Sequence, residues 1–172
     1  MTHSKMPEPW LRGTLTEVPA VQRAVLHALE LAKEDLEHWC GGLTEEQLHA
    51  RPDEIAPVAF HLRHIPGSID RLLTYAEGKQ LNDAQMAVMK TELDAVSTKE
   101  ELFGGLAAGL ARSAERIRAL DSKQLSEARS VGRKQLPTTV GGLLIHVADH
   151  TQRHVGQAIT TAKIVVARPR QQ

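Results

Sequence analysis

Apolar side chains along this chain recur at steps of three and four residues over long stretches. That spacing puts them on one side of a helix and leaves little choice of fold class. Val18, Val21, Val25, Ala28, Leu29, Ala32, Leu36 and Trp39 form the first such stripe. His27 and His38 fall on its opposite face, where solvated surface histidines are expected. Gly41-Gly42 ends this helix, since glycine accepts the left-handed geometry of a C-cap. Thr44-Glu45-Glu46-Gln47 has capping-box spacing and predicts a short helical turn. Pro52 and Pro57 bracket a loop. A second long helix is predicted over 58–75, closed by Gly78, with Val58, Leu62, Ile65, Ile69, Leu72 and Leu73 on its apolar side. Pro66 lies inside it and predicts a kink or irregular turn, because its ring removes one helical donor.

The pattern continues with a short amphipathic helix over 82–93, carrying Met86 and Met89. Ser97-Thr98-Lys99-Glu100-Glu101 offers two overlapping capping boxes for a third long helix. Its stripe is Leu102, Leu106, Leu110, Ser113, Ile117 and Leu120. Gly104, Gly105 and Gly109 weaken that helix, at about 1 kcal/mol each relative to alanine, and let a neighbouring backbone come close. Residues 129–137 read as a polar connection. Thr138 or Thr139 then caps a fourth long helix over 140–166. Nothing alternates at period two over a useful length, so no sheet is expected. The prediction is an all-α protein, a four-helix bundle with additional short helices. It is expected to be a single domain over 1–172, with residues 1–16 and 167–172 peripheral and the tail frayed.

Composition narrows the function. The 21 Lys and Arg residues balance 21 Asp and Glu, giving a formal charge of zero. With no basic stripe and few aromatics, nucleic acid is not an expected partner. No apolar run approaches the roughly 20 residues of a membrane span, and the polar start, Met1 to Pro9, does not read as a signal peptide. Cys40 is the one cysteine, which excludes a disulfide framework and a Cys-rich zinc site and fits the cytoplasm. Nothing beside it lowers its pKa, so a nucleophilic role is not expected.

Nine histidines against two Trp, two Phe and one Tyr is the unusual feature. His146, His150 and His154 are four apart, so neighbours differ by about 40° around a helix. Two imidazoles at that spacing can grip one divalent ion; three over two turns are too spread to share one easily. Counting about 100° per residue, His154 lies roughly 40° from the centre of the apolar face, His150 roughly 80° and His146 roughly 120°. His154 and His150 therefore face the interior or its margin, and His146 points outward. A third ligand should come from another helix. His61 lies closer to the apolar stripe of the second helix. His64 shares its face with Gly67 and Ser68, whose small side chains leave room for a pocket. Spacing alone does not decide between them.

The segment Gly142-Leu143-Leu144-Ile145-His146-Val147-Ala148-Asp149-His150-Thr151-Gln152-Arg153-His154-Val155-Gly156-Gln157 resembles the last-helix signature of the DinB (DNA-damage-inducible) superfamily. Val58-Ala59-Phe60-His61-Leu62-Arg63-His64-Ile65 resembles that family's second-helix motif, and the likeness runs from Pro9-Trp10-Leu11-Arg12-Gly13 to Lys163. The resemblance implies a bundle with three histidine ligands to a divalent metal. They map to His150, His154 and His64, the last four residues after Phe60, and His61 occupies a position resembling the family's apolar residue. Many relatives continue His-Arg-Gly-Gln where this chain has His154-Val155-Gly156-Gln157, with its arginine before the histidine as Arg153. Three imidazoles suit zinc or nickel and also accept iron, cobalt or manganese. They leave a coordination position open, as catalytic sites do. By the same resemblance, the expected function is a metal-dependent thiol S-transferase or hydrolase acting on a small electrophile, with a low-molecular-weight thiol as partner and a homodimer as the assembly; position alone puts Arg63, Arg153 or Gln157 near the substrate. The alternative is a non-enzymatic metal-binding stress protein or interaction module, since the sequence places no clear acid, base or nucleophile beside the histidines.

Overall fold

The computed structural model describes residues 6–93 and 96–168. Four long helices make the body: α1 (Ala20–Cys40), α3 (Val58–Ala76), α5 (Lys99–Ala119) and α6 (Val140–Ala167). Two short ones join them, α2 (Glu45–His49) and α4 (Asp83–Thr91). α1 and α3 each pack against both α5 and α6, so α6 lies between α1 and α3 on one side of the bundle. The all-α bundle expected from periodicity is the fold observed. Its centre holds Val25, Leu36, Leu62, Ile65, Ile69, Leu106, Ile117, Leu144 and Val147, all buried. Each contributes about 1.5–3 kcal/mol by leaving water.

Local chemistry sets the helix ends. Thr44, Asn82 and Thr98 each accept from the backbone N–H three residues on, and Gln47, Gln85 and Glu101 reach back to complete capping boxes. Of the two overlapping boxes before α5, the one opened by Thr98 is used. Thr139 caps α6 through the Gly142 N–H. α3 closes on Gly78 at φ 75°, where the Gly78 N–H donates to the Tyr75 carbonyl and the Lys79 N–H to that of Thr74. This is a Schellman closure, which glycine enters without steric cost.

Several expectations need correction. Gly41 does not end α1 in left-handed geometry; its φ is −62°. The chain turns right-handed there and delivers Leu43 to the core, with the Leu43 N–H on the Cys40 carbonyl. His27 is not solvated: the segment before α1 folds back over that face, and Thr14 Oγ1 lies 3.1 Å from His27 Nε2. Arg12 ties the same segment to α1 through Glu34 (2.7 Å to each oxygen) and Glu30 (3.0 Å). Trp39 leaves the stripe for the surface, where Lys163 Nζ sits 4.1 Å from the centre of its ring system. His38 is exposed, as expected, and Cys40 is fully buried, which pushes its thiol up to about 11.

The connection over 129–137 is also more than a coil. β1 (Ala128–Val131) pairs antiparallel with β2 (Leu136–Thr139), in register Ala128↔Thr139 to Val131↔Leu136. Gly132 and Gln135 take positive φ at the turn. Four-residue strands are too short and too exposed to show period two in sequence, and a two-stranded ribbon accommodates Pro137 because each strand has a free edge. Arg129 Nε donates to the Ala76 carbonyl and pins the ribbon to the end of α3. The predicted tail, 167–172, lies outside the described residues beyond Arg168.

α3 runs through Pro66 with no irregular turn. The facing residue on α5 is Gly109, where a Cβ would lie 2.3 Å from Pro66 Cβ; Gly104 and Gly105 meet nothing within 4 Å. Gly109→Ala should therefore cost about 1–3 kcal/mol through overpacking. Gly104→Ala should be neutral or stabilise by up to about 1 kcal/mol through helix propensity. Urea unfolding of the two variants checks both; equal midpoints would mean that α5 does not need the gap.

Candidate metal centre

α3 carries His61 and His64 on the side that packs against α6, and α6 carries His150 and His154 toward α3. The apolar residues flanking them force this meeting. Leu62, Ile65 and Ile69 on α3 and Leu144, Val147, Val155 and Ala158 on α6 are all buried in one core. His64 Nε2 lies 3.1 Å from His150 Nε2. Ring centroids are 4.3 Å apart for His64–His154 and 4.5 Å for His150–His154. One ring nitrogen from each of the three falls within 4.8 Å of the others, close enough that they could hold a metal ion.

Two of the three rings are held from behind. Phe60, one turn before His64, stacks on it at 5.0 Å and 22°. His64 Nδ1 lies 2.7 Å from Glu92 Oε2. The carboxylate can only accept, so His64 keeps its proton on Nδ1 and turns the Nε2 lone pair toward His150. Glu92 is itself 4% exposed and is gripped by Arg71 at 2.6 Å. Burial alone would raise its carboxyl; the hydrogen bonds from His64 and Arg71 outweigh that and hold it below the usual range. Behind His154, the Nδ1 of His61 approaches at 3.0 Å. His61 is 2% exposed, and its Nε2 is buried without a partner among the described residues.

Glu92 is the residue beside the centre that sequence reading missed. It lies just past the end of α4, with no fixed spacing to any histidine. A signal was nevertheless present on α3. His64 and Arg71 are seven apart and share a face, and Gly67 lies between them. A Cβ on Gly67 would come 2.6 Å from Glu92 Oε1. The room that Gly67 predicts is there, and a carboxylate fills it.

The remaining candidates lie further out. His146 is exposed, as the angular count predicted, with Nδ1 3.7 Å from Asp149 Oδ2. Arg153 and Gln157 are exposed on α6, and Arg153 donates to Asp149 at 2.7 Å. Arg63 turns away, toward the α4 end, where its Nε donates to the Glu92 carbonyl; its terminal nitrogens are buried, with no partner among the described residues. A cleft of about 320 Å³ among α3, α4 and α5 shares Glu92 and Arg63 as lining and touches none of the three histidines.

The donor set fits a divalent ion. Two nitrogens bound at about 2.0–2.1 Å in tetrahedral geometry stand roughly 3.3 Å apart, close to the observed His64–His150 separation. His150 and His154 are also poised neutral. Burial first, then the His64 charge, pushes His150 down to about 4 and His154 to about 3. The same two causes take His61 to about 4. Arg153 adds to the effect on His150 and His154.

The fold and its histidine cluster define a class of helical bundles with a metal-capable centre between two helices. The DinB superfamily pattern matches residues 28–158, more than half of the chain, and the chain belongs to that superfamily. Among solved structures, the fold is similar to one described as the conserved protein of locus from Enterococcus faecalis. Its TM-score is 0.71 at 19% identity, covering 87% of this chain and 99% of that one. At that identity the likeness speaks for fold alone. No curated protein matches the chain. No helix among the described residues is long and apolar enough to cross a membrane.

Histidines whose folded pKa lies below the unfolded value near 6.5 bind fewer protons than the unfolded chain at mildly acid pH. For His61, His150 and His154, stability should therefore be full above pH 6.5. It should fall as pH drops toward about 4, reaching about 3 for His154. Urea midpoints of the metal-free protein between pH 7.5 and 4.5 should show this slope, and His150→Gln with His154→Gln should flatten it. An unchanged slope in the double variant would locate the acid sensitivity elsewhere.

Proposed function

We propose that His64, His150 and His154 hold one divalent metal ion, zinc or nickel in the first place, and that the centre serves a metal-dependent thiol transferase or hydrolase reaction on a small electrophile. The observation that carries this reading is the pair of Nε2 atoms 3.1 Å apart, with the proton of one of the two rings committed to Glu92. Two desolvated lone pairs aimed at one point are costly unless a proton or a cation lies between them. When bound, the ion supplies an open Lewis-acid position that lowers the pKa of a thiol or water toward neutrality.

The side chains around the centre have separable tasks. Glu92 holds the His64 ring in one tautomer and adds negative charge behind it, which strengthens His64 as a donor. Arg71 keeps that carboxylate ionised and in place. Phe60 covers one face of His64 and limits water there. Arg153, at the exposed rim of α6, puts positive charge near His150 and His154, where an anionic substrate group would approach. Superfamily membership supports metal binding; thiol transfer and hydrolysis rest on what the superfamily resemblance implies and on the open donor set.

A specific observation favours a second reading, a metal-binding module without turnover. Glu92 is the buried carboxylate next to the centre, and its bonds to His64 and Arg71 leave it unable to act as a general base.

Metal analysis of the protein purified from its own host should find about one equivalent of divalent ion. His64→Ala, His150→Ala and His154→Ala should each lose it. Added zinc at 100 times its Kd should stabilise the wild type by about 2.7 kcal/mol and leave the variants unmoved. Loaded protein should consume electrophile with a low-molecular-weight thiol, and His154→Ala should stop it. Stoichiometric metal with no turnover across a broad thiol and electrophile panel would select the second reading.

A further inference from the structure

His61 stands on the apolar side of α3, 2% exposed, where leucine or isoleucine would pack without cost. An imidazole there is unexpected. Among the described residues its Nε2 has no hydrogen-bond partner, and Nδ1 lies against Nδ1 of His154 at 3.0 Å. Two ring nitrogens at that distance share a single proton, so one ring donates and the other accepts. A neutral imidazole that gives Nε2 to a cation carries its proton on Nδ1. With Nδ1 of His154 occupied by His61, Nε2 is the atom His154 has left for the ion.

We infer that His61 is a positioning residue for the metal centre: its Nδ1 accepts the His154 Nδ1 proton and thereby holds His154 in the tautomer and ring orientation that present Nε2 to the ion. This rests on the proposed metal reading. It pairs with the arrangement behind His64, where Glu92 accepts the Nδ1 proton of that ring. The two supports differ in charge. A carboxylate stands behind the α3 ligand, and a neutral ring stands behind His154. The neutral acceptor fixes orientation without adding a second negative charge to the site.

The test uses zinc alone as probe, with a chromophoric chelator as competitor. His61→Leu keeps the volume and removes the acceptor, and should weaken zinc binding 10–100-fold. The metal-free Leu variant should unfold no earlier than the wild type, because it sheds an unpartnered buried nitrogen. His61→Asn places Oδ1 where Nδ1 stood and should recover affinity to within about threefold of the wild type. In the zinc-loaded wild type, ¹⁵N correlation spectra should show His154 protonated on Nδ1. Leu and Asn variants that both bind like the wild type, or that both lose affinity equally, would overturn the positioning role; equal loss would make His61 a ligand or a packing residue instead. A His154 proton found on Nε2 in the loaded protein would overturn it as well. A wild type that takes up no zinc or nickel at all defeats the metal reading and this inference with it, and is told apart by the wild-type titration alone.

Discussion

The packing of α3 against α6 is the constraint on which the histidine cluster depends. Imidazoles desolvated this far are held by the apolar contacts on either side of them, not by each other. Leu62 and Ile65 flank His64 on α3, and Val147, Val155 and Ala158 flank His150 and His154 on α6; all are buried. The burial that stabilises the bundle therefore also sets the spacing of the donors. The rings sit where rigid helices put them, which suits a site whose ligands must hold position to fractions of an ångström.

A second layer of polar contacts refines what packing begins. Glu92 reaches across from the end of α4 into the space left by Gly67, and closes on His64 and Arg71 together. An isolated carboxylate at 4% exposure would be costly to desolvate. Two donors, one from a guanidinium, satisfy it and keep it ionised. The same bond settles where the His64 proton resides, so the contact that satisfies the carboxylate also orients a ring of the metal-capable cluster. α4 buries no side chain of its own, and its place in the structure is tied to this contact and to the Gln85 bonds to Asp70 and Thr74.

Pro66 and Gly109 show a comparable division of labour one turn along α3. The proline ring is admitted to a helix interior that faces a residue without a side chain. Glycine within α5 costs helix propensity, and close approach of the two helices offsets it. That approach places α3 against α5 on one side and against α6 on the other, with the metal-capable face turned to α6.

Much of this was legible in the chain itself. Four long helices, the caps of α2 at Thr44 and of α5 at Thr98, the closure at Gly78 and the outward turn of His146 follow from periodicity and capping chemistry, which act over a few neighbouring residues. The sequence also placed His150 and His154 on the margin of the core, because their angular offset from the apolar stripe is local arithmetic. Long-range contacts decided the rest. Both His61 and His64 meet α6, and which of them comes together with His150 and His154 hung on the rotation of one helix against another, which apolar spacing constrains only to within a face. Gly67 announced a gap on α3, but that Glu92 fills it was decided by tertiary contacts, which position the loop and short helix that deliver it. The ribbon over 128–139, the burial of His27 and the exit of Trp39 to the surface were likewise settled by which segment lay across which face.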